Sequence, residues 1–137
     1  QFIDSTNPIF DGVQQCKYFA ADGSEVSYRP HLDCEFVDKN KIGLKLQYLY
    51  DVFQGVPLFR GRILIAQPGH VLDLHRDGEH SCRIHIPIVT NEKCHMQIDD
   101  EHVHMPADGS AYLCNTSLLH RFGNLGTEER IHIVFAL

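Results

Sequence analysis

The sequence predicts a mainly β domain, an antiparallel sandwich or barrel with one helix laid over a sheet. Three observations carry this expectation. After Pro57, apolar residues recur with a period of two in seven successive segments. Turn-forming residues separate those segments at near-regular spacing. A helical stripe occurs once, before Pro57, so alternating βαβ units are excluded. At 137 residues and 15.6 kDa the chain is read as one domain over 1–137.

Residues 1–40 are punctuated by Asn7-Pro8, Asp11-Gly12, Asp22-Gly23 and Arg29-Pro30, and read as turns with short strands. From Asn40, a candidate N-cap, Ile42, Leu46, Leu49 and Phe53 fall at i, i+4, i+7 and i+11. They form one stripe of an amphipathic helix that Gly55 and Pro57 stop. This helix is expected to cover one sheet, with Tyr48 and Tyr50 packing in the core or at its rim. The strand-like segments are Arg62–Gln67, Val71–His75, Cys82–Val89, His95–Ile98, His102–Met105, Ser110–Leu113 and Arg130–Leu137. Turns are expected at Pro68-Gly69, Asp77-Gly78, Asn91-Glu92, Asp99-Asp100, Asp108-Gly109 and Gly123–Gly126.

Composition narrows the function. A net charge of −6 lacks the basic stripe of a nucleic-acid binder, and no apolar run approaches a membrane span. The five cysteines (16, 34, 82, 94 and 114) are odd in number and form no C-x-x-C pair, which favours a reducing compartment. The opening QFIDSTNPIF has neither the basic nor the apolar part of a signal peptide, so the expected location is cytoplasmic. Nine of the ten histidines lie between His70 and His132, in the half that also carries ten Asp/Glu against five Lys/Arg. A half rich in imidazole and carboxylate is where a metal site is sought.

Two strands pair an apolar face with a basic one. In Cys82–Val89 the even positions are Cys, Ile, Ile and Ile, while Arg83 and His85 share the other face. In Arg130–Leu137 the odd positions are Ile, Ile, Phe and Leu, with Arg130 and His132 opposite. In the simplest arrangement such polar faces meet water. His95, His102 and His104 are read as solvent-facing in that way. His75-Arg76-Asp77 is an H-x-D at a strand end, whose imidazole and carboxylate project to one side, where they would hold adjacent positions on one metal ion. Two His and one carboxylate, bound facially, suit non-haem Fe(II) oxygenases. His120 follows 45 residues after His75, and Arg130 ten residues after that. Asp73, Glu79 and His80 flank the motif as substitutes should the register differ.

This order of residues resembles the Fe(II)/2-oxoglutarate-dependent oxygenases. The blocks RIHIPIVTN (83–91) and HRFGNLGTEERIHIVF (120–135) are similar to the aspartyl/asparaginyl β-hydroxylase family, with small bacterial proline hydroxylases showing a related arrangement. The resemblance covers roughly 60–137. It implies a double-stranded β-helix (jelly roll, cupin-like), with 60–137 as metal and cosubstrate core; residues 1–59, which carry no feature of the resemblance, are expected to form the N-terminal cover and substrate loops. It implies His75, Asp77 and His120 as Fe(II) ligands, and Arg130 as the salt-bridge partner of the distal carboxylate of 2-oxoglutarate. Arg83 and His85 match positions near the metal-binding end of that cosubstrate. The aspartyl hydroxylases proper lack the carboxylate ligand that Asp77 supplies here. The implied reaction hydroxylates an unactivated C–H of an Asp-, Asn- or Pro-like amino acid or residue, using O₂ and releasing succinate and CO₂. Expected partners are therefore a small-molecule or peptide substrate and O₂, with no nucleic acid and no membrane, while oligomeric state is unreadable. Two other readings stand beside it: a cupin-like metal enzyme that does not use 2-oxoglutarate, and a non-catalytic β-sandwich binding module.

Overall fold

The computed structural model of the chain describes residues 3–4, 17–19, 25–26, 41–77 and 81–137. After three short strands, β1 (Ile3–Asp4), β2 (Lys17–Phe19) and β3 (Glu25–Val26), come two short helices, α1 (Lys41–Lys45) and α2 (Gln47–Val52). The rest is β: β4 (Phe59–Ala66), β5 (Cys82–Val89), β6 (Cys94–Ile98), β7 (Glu101–Val103), β8 (Tyr112–Asn115), β9 (His120–Asn124) and β10 (Arg130–Ala136). Strands of one sheet run in the order β3-β2-β1-β4-β10-β5-β8, and those of the other β7-β6-β9. Pairing is antiparallel except for β1 beside β4.

Residues 69–75 complete the smaller sheet as a fourth, irregular strand alongside β9. Isolated bridges join Val71 to Gly123 and His75 to His120, and Leu72 N–H donates to the Phe122 carbonyl at 2.7 Å. The four strands β4, β10, β5 and β8 therefore face four in the smaller sheet, which is a double-stranded β-helix.

The apolar residues of β5 and β10 face outward from this barrel, and α2 covers them. Leu49 packs with Ile84, Ile133 and Phe135, flanked by Leu46, Tyr50, Phe53 and Leu58. Phe135 is fully buried, with the Tyr50 ring edge-on at 5.4 Å between centroids. Gly61 allows this approach, because a β-carbon there would sit 2.8 Å from Phe135 Cε1. A second cluster between the sheets joins Met96 of β6 and Met105 to Cys114 of β8.

Several details differ from the sequence expectation. The single helix is two, broken at Leu46, whose N–H donates to the Gly43 carbonyl three residues back. Such i→i+3 bonding is typical where an α-helix tightens and ends, and Gly43 weakens the helix just ahead of it. The candidate cap Asn40, together with Cys16 and Cys34, lies outside the described residues. Among the described cysteines, 82, 94 and 114 are free. Gly123 belongs to β9, paired with His95 on one side and Val71 on the other, so the turn begins after Asn124. Ile86 and Ile131 are half-buried, since the six-residue α2 is too short to cover the full length of the strands. Asp99 takes a left-handed φ of 48° in the Asp99-Asp100 hairpin, a conformation Asp tolerates. Among the described residues, no helix is long and apolar enough to cross a membrane.

The outer core sets the stability of the helix–sheet contact. Phe135→Ala should cost about 3–5 kcal/mol, the usual penalty for emptying a buried aromatic site. Urea unfolding of wild type and variant checks this; a loss below about 1 kcal/mol would show that the α2–sheet contact is not the principal core.

Candidate metal centre

The basic faces of β5 and β10 turn into the barrel, not toward water. Arg83, His85, Arg130 and His132 are all buried, each 6% exposed or less, whereas Ile88 on the supposedly inner face is 49% exposed. The reason lies in the layering: the helix seals the outer apolar face, so the second sheet covers the polar one. Register brings the row together. Val134 of β10 lies between Arg62 of β4 and His85 of β5, and Ala136 is opposite Arg83.

His75 and His120 form a cross-strand pair. His75 N–H donates to the His120 carbonyl at 2.9 Å and His120 N–H returns a bond at 2.8 Å. Directly opposed residues project to the same face, and the two rings lie 4.3 Å apart between centroids. Asp77, two residues on, is tied to the end of β8 through its N–H and the Thr116 carbonyl at 3.0 Å. One donor atom from each of His75, Asp77 and His120 lies within 4.8 Å of the others. Among the described residues this is the one such cluster of His, Cys, Asp and Glu.

The rings are oriented for ligation. His75 Nδ1 lies 2.7 Å from the Asp73 carbonyl, and His120 Nδ1 lies 2.9 Å from the Leu118 carbonyl. A carbonyl only accepts, so both rings carry their proton on Nδ1 and leave the Nε2 lone pair for a metal. Asp73 thus takes part through its backbone, while Glu79 and His80 lie outside the described residues. Arg83 grips one oxygen of Asp77, with Nε and Nη2 each 3.1 Å from Oδ2. The other oxygen, Oδ1, is left 3.8 Å from His75 Nε2. Burial alone would raise the Asp77 pKa, yet Arg83, the Thr116 hydroxyl and His120 hold it below the usual carboxylate value. The donor set is two imidazole nitrogens and one ionised carboxylate oxygen, which fits a divalent transition metal with open positions.

These groups line a cavity of about 130 Å³ that opens to solvent. Arg60, Arg62, Arg83 and Arg130 all border it, with Leu64, Leu72, Met96, Phe122 and Val134 as apolar walls. Arg130 is 4% exposed and has no carboxylate partner among the described residues. Its guanidinium lies 3.9 Å from the centroid of the Phe122 ring, and burial pushes its pKa down to about 10. Such a buried cation calls for an anionic ligand. His85 also borders the cavity, its pKa pushed well down by burial and then by Arg130, Arg62 and Arg83. His95 and His102 are exposed as expected, while His104 is half-buried with Nδ1 on the Cys94 carbonyl at 2.9 Å.

Sequence reasoning missed Arg60, Arg62 and His132. The signal for the arginines was the i, i+2 spacing of 60 and 62 on the strand that became β4. Arg60 also has a φ of 45°, at the irregularity where β10 shifts register against β4 between Val134 and Ala136. A bulge of this kind re-aims a side chain, and nothing in the sequence marks it.

Removal of one ligand tests the cluster. His120→Ala should abolish or severely weaken binding of Fe(II), read by metal content after anaerobic loading; stoichiometric metal in that variant would remove His120 from the centre. Acid offers a second test. Burial, followed by Arg130, holds His132 down to about 2, and His85 is likewise depressed. Both are neutral in the folded protein but bind protons in the unfolded chain below about pH 6.5. Stability is therefore complete above that pH and falls on acidification, by about 2 kcal/mol for His132 between about pH 6.5 and about pH 5, with His85 acting in the same direction. Denaturant unfolding at the two pH values checks it; a flat profile would mean that the two imidazoles are not held neutral.

In sequence, the model described as Aspartyl/Asparaginyl beta-hydroxylase matches residues 45–137. The match starts at 45, not 60, and so takes in most of the helical cover. No curated protein matches the chain significantly. In structure, the chain is similar to a Thermotoga maritima protein described as a predicted oxalate decarboxylase. Identity is 14% over 64% of this chain and 72% of that one, with a TM-score of 0.49. A protein from Thermus thermophilus aligns at 16% identity over 54% of this chain and 67% of that chain, with a TM-score of 0.43. With well over half its length matched, the chain belongs to the aspartyl/asparaginyl β-hydroxylase family.

Proposed function

We propose that this oxygenase is an Fe(II)- and 2-oxoglutarate-dependent dioxygenase. It hydroxylates an unactivated C–H of an amino acid or amino-acid residue of Asp, Asn or Pro type. The observation that carries the reading is one cavity holding both parts of the machinery. His75, Asp77 and His120 converge in it, and the buried guanidinium of Arg130, without a carboxylate partner among the described residues, lines the same cavity.

His75, Asp77 and His120 would hold iron, which would supply O₂ activation and the oxidation of the C–H bond. The chain's own residues do the rest. Arg83 keeps Asp77 ionised and turned so that one oxygen ligates. The Asp73 and Leu118 carbonyls hold the imidazoles in the ligating tautomer. Arg130 receives the distal carboxylate of 2-oxoglutarate, for which a planar, permanently charged fork is suited. Leu64, Leu72, Phe122 and Val134 exclude water from the cavity wall. The balance is one oxygen atom of O₂ to the new hydroxyl and the other to succinate, with the 1-carboxyl group of 2-oxoglutarate lost as CO₂. The cytoplasm is the proposed location, and an amino acid or peptide the proposed partner.

Arg130→Ala tests the reading. It removes the charged anchor but no metal ligand, and truncating one partner of a buried charge pair costs about 2–5 kcal/mol. 2-Oxoglutarate should then bind about 30-fold more weakly or worse, at roughly 1.4 kcal/mol per decade, with metal content unchanged. Calorimetric titration into anaerobic, metal-loaded protein measures it. Equal affinities would take Arg130 out of the site. No binding to wild type would favour a cupin-like metal enzyme without this cosubstrate, and absence of metal from wild type a non-catalytic binding module.

A further inference from the structure

We propose that His132 is a positioning residue that aims the Arg130 guanidinium into the cavity without neutralising it. The inference rests on the reading of Arg130 as the cosubstrate anchor. Arg130 and His132 are two apart on β10 and so share a face. His132 Nδ1 lies 2.7 Å from Arg130 Nη2, and both residues are buried, at 1% and 4% exposure. The guanidinium has no lone pair to offer, so Nδ1 accepts and the ring proton resides on Nε2. Phe122 occupies one face of the guanidinium at 3.9 Å. One edge and one face are thereby fixed, and Arg130 itself borders the cavity that holds the metal ligands.

The choice of an imidazole has a physical logic. Aspartate or glutamate at position 132 would orient the arginine as well, but would also cancel its charge and compete with an incoming carboxylate. A neutral acceptor orients it and leaves the full charge for the ligand. Burial keeps His132 neutral, with its pKa pushed down to about 2. The arrangement carries a cost. Nε2 is buried with no hydrogen-bond partner among the described residues, as is Thr90 Oγ1, and both residues line a second, small cavity together with Arg130. An apolar residue of similar size would avoid an orphaned donor. What it could not do is accept from Arg130. His132 borders that small cavity and not the one that holds the metal ligands, which separates it from groups touching substrate.

The experiment compares His132→Asn, His132→Gln and His132→Asp. Asn places its amide oxygen near the position of Nδ1, whereas Gln places it near Nε2. Each protein is loaded anaerobically with Fe(II) and titrated with 2-oxoglutarate. His132→Asn should bind within about 3-fold of wild type, His132→Gln about 10-fold more weakly, and His132→Asp more weakly still, all with wild-type metal content. Where turnover is measurable, His132→Gln should raise KM for 2-oxoglutarate and leave kcat largely intact. Equal affinity in wild type and all three variants overturns the proposal, as does an Asn variant as impaired as the Gln variant. A readout that needs neither metal nor cosubstrate is nitrogen-15 NMR of the Arg130 side chain. Rotation about its Nη2 should be slowed in wild type and His132→Asn and freed in His132→Gln. If wild type fails to bind 2-oxoglutarate, the cosubstrate reading fails, while the NMR comparison still decides whether His132 holds Arg130. Unrestricted Nη2 rotation in wild type overturns the inference by itself.

Discussion

The structure depends on a buried row of basic groups that has to be tolerated inside a β-barrel. Arg62, Arg83, His85, Arg130 and His132 all point inward and are nearly or fully buried. Burying charge and unpaired polar atoms is costly, so the rest of the molecule compensates. The outer face of the same strands is apolar and capped by α2, which returns hydrophobic stabilisation to β5 and β10. Inside, each group is handled differently. Arg83 is neutralised by Asp77, Arg130 is stacked on Phe122 and bonded to His132, and the two inner histidines stay neutral.

The metal ligands owe their convergence to backbone pairing. The reciprocal hydrogen bonds between His75 and His120 lock an irregular strand to β9 and place the two imidazoles on one face. Backbone carbonyls of neighbouring residues then choose the tautomer, so neither ring depends on a distant side chain for its orientation. Asp77 is the exception, since Arg83 reaches it from β5 in the opposite sheet. The centre therefore joins the two sheets through one ion pair. This geometry also accounts for the side on which the site opens. His75 and Asp77 are the more exposed ligands, and His120 is the buried one.

Much of the fold was legible because period-two patterning and turn residues agree with each other. Cys82–Val89 was bounded at both ends from the sequence, and Arg130–Leu137 to within one residue. The strand β9 was not legible: its residues His120–Asn124 do not alternate apolar and polar, and Gly123 reads locally as a turn. Its identity comes from partners on both sides, which are remote in sequence. The segment Val71–His75 showed the converse. It reads as a regular strand, yet it makes only isolated bridges. The helix break at Leu46 was hidden because Gly43 interrupts neither the apolar stripe nor its period.

By itself, the sequence determined the β-rich class, the order of most strands and the grouping of basic residues on single strand faces. These follow from local rules, since side-chain direction in a strand depends only on parity. The H-x-D spacing likewise placed His75 and Asp77 side by side without knowledge of the fold. Tertiary structure alone decided which face is interior. Parity fixes that Arg83 and His85 share a side, but not whether that side meets water or a second sheet. It also decided that His120 lies opposite His75, that Arg83 clamps Asp77, and that Arg60, Arg62 and His132 join the inner row. The pairing of His75 with His120 and of β4 with β10 joins residues far apart in the chain, and the meeting of Arg83 with Asp77, six residues apart, depends on how the two sheets pack; register is a property of the pairing, not of either strand.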